Sequence, residues 1–339
     1  MFEPSKGIPA DREALKAQMM QTAEAGRQKY AKETPPAAPK KPLLTWDELR
    51  LDVEAFLDVT PSAPVWVFRH LMRKGTVGAI VATGGSGKSR LLLHVMLSLA
   101  AGVAFGPFVP DRPMRVVYLC GEDQKDILHE RIHDIAHKMA FAGDGNLAAE
   151  KKHLILENFR AVPLAGEDVT LVNRDQSGNP TQTDAFRWLD DSLAEMKPDL
   201  VVIDPLSRFH GLDENDNVGM TSVVKTFEAI AKRHGCAVLF AHHTSKAVSQ
   251  SGNIAGDTGR GASALRDGVR MMLSMGHKTA EQLGVPSEGN EQGFIELHHT
   301  KANTTSYLGK PFYFKKEASL LLTPFNPNAQ QMYDQLQGM

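Results

Sequence analysis

Cysteine is almost missing from this chain: Cys120 and Cys236 are the only two in 339 residues, and each lies in or beside an apolar run. Two such thiols make neither a disulfide framework nor a zinc cluster, and they are read as reduced core residues of a cytoplasmic protein. Long apolar runs are missing too. None approaches the roughly 18 residues that cross a bilayer, and the N-terminus has no secretory h-region. A soluble protein with no membrane partner is expected. A charge excess is also lacking, since 38 Lys and Arg face 40 Asp and Glu for a net −2. Any nucleic-acid surface must then be local. What is present is ordinary globular material, 42% hydrophobic and 23% charged, enough for one large α/β domain with extensions or two smaller ones.

The chain is organised around residues 77–89. An apolar run, Val77 to Val81, breaks into Gly84, Gly85 and Gly87, then Lys88 and Ser89, before the apolar stretch Leu91 to Leu99. That pattern is a buried strand, a glycine turn and a helix covered on most sides. Backbone N–H groups freed by the glycines, with the helix N-terminus, bind phosphate. Lys88 is placed to reach the β- and γ-phosphates of a nucleotide and Ser89 to ligate Mg²⁺. The P-loop pattern asks for glycine where Ala82 stands; alanine suits the position provided its φ is negative. An ordinary Gly-rich turn with a solvated lysine is the bland alternative.

Four regions follow from composition. Residues 1–42 read as a mobile arm ending in the prolines 35, 36, 39 and 42; 43–74 as a lead-in packing on the core; 75–326 as the ATPase domain; 327–339 as a tail. Within the core, strand 115–120 leads to Gly121-Glu122-Asp123 and a helix of about 18 residues. Residues 154–157 and 169–173 are short strand candidates, and 175–180 a turn. A helix near 182–196 precedes the strand Leu200–Asp204, a helix at about 217–233 ends at Gly235, and strand 237–241 runs into His242-His243. Later strands are expected near 269–275, 293–299 and 310–316. Alternation predicts a mostly parallel sheet flanked by helices, with antiparallel strands at one edge.

Ligands of such sheets collect beyond the carboxyl ends of the strands. Asp204 closes a buried strand, where an unpartnered carboxylate is costly, and suits a Mg²⁺ role. Glu122 reads either as a base orienting water on the γ-phosphate or as an acidic residue favouring a helix dipole. His242 and His243 alternate across a strand, which argues against a shared metal ion; one faces the nucleotide and the other the core.

The segments 82–89, 121–123, 202–210, 242–246, 260–270 and 301–303 together resemble the RepA-type hexameric replicative helicases of plasmids and phages, in the RecA-like P-loop superfamily. The resemblance spans about 75–325 and implies ATP and Mg²⁺ as cofactors. It implies nucleotide contacts along Thr83, Gly84, Gly85, Ser86, Gly87, Lys88, Ser89 and Arg90. It further implies Glu122 as catalytic base, Asp204 with Ser89 as metal ligands, and His243 as γ-phosphate sensor. Arg270 becomes an arginine finger for the neighbouring subunit, Arg131 a residue near the adenine, and Lys301 a lysine near the subunit boundary. Without the resemblance, Arg270 reads as a solvated arginine on an edge strand. Departures are Ala82, Pro205 and the longer Thr304-Thr305-Ser306 segment before Tyr307.

Two loops suit single-stranded DNA: 207–217, and the Gly/Ser-rich 246–259. Arg208, Lys246 and Arg260 would face phosphates, and with no aromatic ladder the contact tracks backbone rather than sequence. Asp213, Glu214 and Asp216 argue against a grip by the first loop's tip, and both loops also read as linkers. The expectation is an ATP-driven homohexameric helicase or translocase, with a replisome partner for the arm. The alternative is a non-motor ATPase serving as a replication or recombination mediator or assembly factor.

Overall fold

The computed structural model describes residues 50–138, 145–243, 262–305, 309–317 and 321–328. The expected arm, the tail beyond 328, Lys246, Arg260 and Tyr307 lie outside them. The chain divides into two compact units between Ala63 and Pro64. In the first, α1 (Val53–Asp58) starts at Asp52, whose carboxylate accepts the Ala55 N–H at 3.1 Å; none of its residues is buried.

The second unit opens with a hairpin, β1 (Trp66–Phe68) and β2 (Met72–Arg73). There follow β3 (Val77–Ala82), α2 (Lys88–Ala100), β4 (Val116–Cys120), α3 (Lys125–Lys138), α4 (Gly145–Asn158) and β5 (Phe159–Pro163). A second hairpin, β6 (Val172–Arg174) and β7 (Pro180–Gln182), precedes α5 (Asp184–Met196) and β8 (Leu200–Asp204). Then come α6 (Asn217–His234), β9 (Ala237–His243), α7 (Ala262–Gly268), β10 (Met271–Lys278), α8 (Ala280–Leu283), β11 (Phe294–Ala302), β12 (Phe312–Lys316) and β13 (Leu322–Phe325).

One nine-stranded sheet runs in the order β13-β12-β11-β10-β3-β9-β8-β4-β5. From β10 to β5 all neighbours are parallel, while β11, β12 and β13 add antiparallel at one side. This is a RecA-like P-loop NTPase core. The chain leaves β3 and returns three strands away in β4, with β9 and β8 filled in later, so a crevice opens at their carboxyl ends.

Strand parity sorts the side chains. Ile80, Tyr118, Val202 and Leu239 pack on one face with the apolar side of α2. Val81, Val117, Ile203 and Phe240 pack on the other with Phe186, Leu189, Val223 and Phe227 of α5 and α6. Burial on both faces explains why these strands read as continuous apolar runs rather than alternating ones. Helix α6 has local support at both ends. Asp216 caps its start by accepting the Val218 N–H at 3.0 Å, and Gly235 at φ 59° ends it after Lys232, Arg233 and His234.

Two expectations are corrected. Residues 154–157 are the last turns of α4, and the strand is 159–163; the apolar pair Leu154 and Ile155 is half-buried on a helix, and a short apolar run does not distinguish the two. Arg270 does not lie on an edge strand, since β10 is held between β3 and β11.

At the amino ends of the strands a buried ionic knot holds three segments together. Asp199, 1% exposed, accepts from Lys74 Nζ at 2.8 Å, from Arg112 at 2.8 and 3.1 Å, and from the Arg115 N–H at 2.9 Å. Burial alone raises its pKa, but these donors outweigh it and hold the carboxyl at about 2.

Candidate active site

The glycine turn has the backbone its sequence requires. Gly85 and Gly87 lie at φ 73° and 89°, which side-chain-bearing residues rarely adopt, whereas Ala82 ends β3 without a positive φ. Gly87 caps α2 without any side chain, so the first N–H groups of the helix are directed to a ligand rather than to a capping oxygen. Ser86 adds a buried hydroxyl with no partner among the described residues.

Lys88 is 4% exposed. Its amine donates to the carbonyls of Ala82 (2.9 Å) and Thr83 (3.1 Å) and lies 3.0 Å from His243 Nδ1. Burial lowers its pKa to about 8, against the opposing pull of Asp204 and Glu122. His243 is likewise lowered, by burial and then by Lys88. A neutral imidazole accepting through Nδ1 satisfies both groups and leaves its proton on Nε2. The register Ala82↔His243 brings them together, and parity turns His243 toward the face that carries α2. His242 turns the other way. It is buried, its Nδ1 has no partner among the described residues, and burial lowers it to about 4. Thus the two histidines face opposite sides, as expected.

Asp204 is 3% exposed at the end of β8. Tyr118 Oη donates to it at 2.8 Å and the Ser89 side chain also hydrogen-bonds to it. Burial raises its pKa, while Ser89, Tyr118 and Lys88 pull the other way. The peptide from Asp204 to Pro205 is cis. The pairing of the Ser89 hydroxyl with a buried carboxylate beside the phosphate-binding turn fits a small oxygen-liganded cation with a nucleotide. Among the described residues no group of three or more His, Cys, Asp or Glu side chains forms a separate metal cluster.

Glu122 follows β4 and is half exposed, with Arg208 Nε 3.9 Å away. Asp123 beside it pairs with Arg131. Arg90 lies near enough to Arg131 for the second charge, after burial, to lower its pKa. The structure therefore brings together Thr83 to Arg90, Glu122, Arg131, Asp204, Arg208 and His243. Arg270 is not among them, since its N–H donates to Val77 O at 2.8 Å, at the opposite end of β3. Lys301 donates to the Arg266 and Asp267 carbonyls and so closes the carboxyl end of α7.

Sequence reasoning missed Tyr118 as the partner of Asp204 and Gly121 as the point of closest approach. A β-carbon at Gly121 would meet that of Arg208 at 2.8 Å. The glycine directly before Glu122 was the available signal. The first part of segment 207–217, read as a loop, is anchored: Leu206 before it and Phe209, His210 and Leu212 within it are buried, while Ser207 and Arg208 are exposed.

A family model described as an AAA domain matches residues 45–249, more than half of the chain. Among solved structures the chain is similar to the crystal structure of a KaiC-like protein from the hyperthermophilic archaeon Pyrococcus horikoshii. The two are 13% identical, the match covers 78% of this chain and 100% of that one, and the TM-score is 0.49. No helix among the described residues is long and apolar enough to cross a membrane. With a P-loop built on a parallel RecA-like sheet and the family match over residues 45–249, the chain belongs to the AAA domain family as a P-loop ATPase.

Proposed function

We propose that this ATPase assembles into a ring, hexameric as in the helicases it resembles, and moves along single-stranded DNA as a replicative helicase or translocase of plasmid or phage type. The observation that carries a ring is the distance of Arg270 from its own P-loop. Arg270 is bonded to the first residue of β3, whereas the phosphate-binding turn follows the last, Ala82. Five residue rises separate them, about 16 Å along the strand, which is further than an arginine side chain extends. A finger at this position serves a neighbour's nucleotide, and hydrolysis then depends on assembly.

Bound ATP with Mg²⁺ supplies the phosphoryl group and the cation that spreads its charge. The 83–87 backbone and the start of α2 cradle the phosphates, and Lys88 reaches the β- and γ-phosphates. Ser89 and Asp204 hold the cation, with Tyr118 fixing the carboxylate. Glu122 accepts the proton of the attacking water, and His243 carries the state of Lys88 into the segment that follows it. Arg90 and Arg131 line the side toward the base. Arg208, Lys246 and Arg260 track the DNA backbone. The test is strand displacement on a forked duplex together with light scattering in ATP. Displacement by a ring supports this reading; a monomer that hydrolyses ATP fully refutes it.

A non-motor mediator or assembly factor is the second reading. It is favoured by the exposed apolar residues Phe56 and Leu57 of α1, which suit a protein partner. ATP-dependent DNA binding without displacement in the same assay selects it.

A further inference from the structure

We propose that His133 and His137 form a two-histidine site for a divalent transition ion of the nickel, copper or zinc class on the solvent side of α3.

Histidines at 129, 133 and 137 recur at four-residue spacing along Lys125–Lys138. On a helix that spacing sets side chains one turn apart along one face. A separate stripe holds α3 to the core, with Leu128 3% and Ile135 1% exposed, and the three imidazoles are carried outward into solvent. Spacing alone does not make a site; the disposition of the rings does. Those of His133 and His137 are stacked, 4.1 Å between centroids and 25° from parallel. His129 stands apart, 6.4 Å from His133 and edge-on at 89°.

In both stacked rings Nδ1 is turned to the protein. His137 Nδ1 lies 2.9 Å from His133 O. A carbonyl only accepts, so the proton sits on Nδ1 and the lone pair of Nε2 is left for a ligand. His133 Nδ1 faces Asp134 Oδ1 at 3.6 Å, which favours the same tautomer. A carbonyl or carboxylate at the far nitrogen is what orients histidines that ligate metals. His153 on α4 supplies the contrast. It too has a partner one turn on, but its Nε2 already pairs with Glu157 Oε1 at 3.2 Å.

An ion about 2.0–2.1 Å from each Nε2 needs the two nitrogens roughly 3 Å apart. Rings with centroids at 4.1 Å reach that by a small turn about χ2, a soft torsion, without movement of the helix. Imidazole nitrogen suits nickel, copper and zinc, whereas magnesium takes oxygen. Two protein donors leave the remaining positions to water, so the site is open and exchanges its ion. The bound ion joins residues one turn apart and ties the end of α3 together.

The experiment is calorimetric titration of the full chain, freed of any affinity tag, with nickel chloride in excess Mg²⁺, which fills oxygen-lined sites. Saturable binding by the wild type is expected to weaken about tenfold or more in His133→Ala and in His137→Ala, and to stay within about twofold in His129→Ala and His153→Ala. Alanine suits an exposed helical position, so these variants keep the fold. Nickel should raise the melting temperature of the wild type and of His129→Ala, but not of His133→Ala. Wild-type affinity in either His133→Ala or His137→Ala overturns the proposal and leaves an adventitious ion only. Equal weakening in His129→Ala, or no saturable binding by the wild type, overturns it as well.

Discussion

His243 Nδ1 and Lys88 Nζ lie 3.0 Å apart, joining the end of β9 to the start of α2. In the proposed mechanism the lysine is the group that both the phosphates and the histidine engage, so its removal would take out binding and sensing together. Lys88→Ala should lower kcat by about a hundredfold or more. Phosphate release under saturating ATP checks it, and near-wild-type turnover would remove the foundation of the site.

Glu122→Gln keeps the volume and loses the proposed proton acceptor. Nucleotide affinity should stay within a few-fold while hydrolysis falls by about 10² to 10⁴. Fluorescent-nucleotide titration beside turnover separates the two. Parallel losses would mean that Glu122 serves the start of α3 instead.

His94 is buried on α2, bonded by Nδ1 to Arg90 O at 2.9 Å and by Nε2 to the Leu322 N–H at 3.1 Å. One nitrogen donates and the other accepts, so the ring must be neutral. Burial lowers its pKa to about 4, and His242 is lowered to about 4 in the same way. The unfolded chain binds these protons at about pH 6.5, the folded one only near 4. Stability should therefore fall as pH drops from 6.5 toward 4, by up to about 1.4 kcal/mol per unit for each ring. Urea melts from pH 7.5 to 4.5 test this, and a flat profile between pH 6.5 and 5 refutes it.

Asp199 acts in the same direction at lower pH. Its folded pKa of about 2 lies below the unfolded value, so its contribution is complete above about pH 4 and lost as pH falls toward 2. Asp199→Ala leaves the partly buried Lys74 without its carboxylate and should cost about 3–5 kcal/mol. A shift of the urea midpoint at constant slope measures it. A loss under 1 kcal/mol would show that Lys74 and Arg112 find water readily.

Arg270→Ala should fold and bind ATP yet lose about 10³ in rate. Mixed with excess Lys88→Ala subunits, which keep Arg270 but do not turn over, it should regain activity, because a neighbour's arginine serves its P-loop. Subunit exchange is followed separately by energy transfer between labelled subunits. Exchange without recovery rules out a finger in trans that functions within mixed rings, and full activity of Arg270→Ala alone removes the finger altogether.

Local chemistry determined a good deal by itself. The strand, glycine turn and helix around Lys88, the carboxylate closing the buried run at Asp204, and the capped helix ending at Gly235 all follow from short-range pattern, because periodicity and φ preference act within a few residues. Opposite faces for His242 and His243 also follow from strand alternation. That His243 is the one facing Lys88 required the register of β9 on β3. The Asp199 knot joins positions 74, 112 and 199, the Gly121–Arg208 approach joins two strand ends, and Arg270 is separated from its own P-loop by the length of β3. The run at 154–157 shows the same limit from the other side, since a short apolar segment becomes strand or helix according to what it packs against. Pairings between distant segments arise from strand order and burial, and only the assembled sheet decides them.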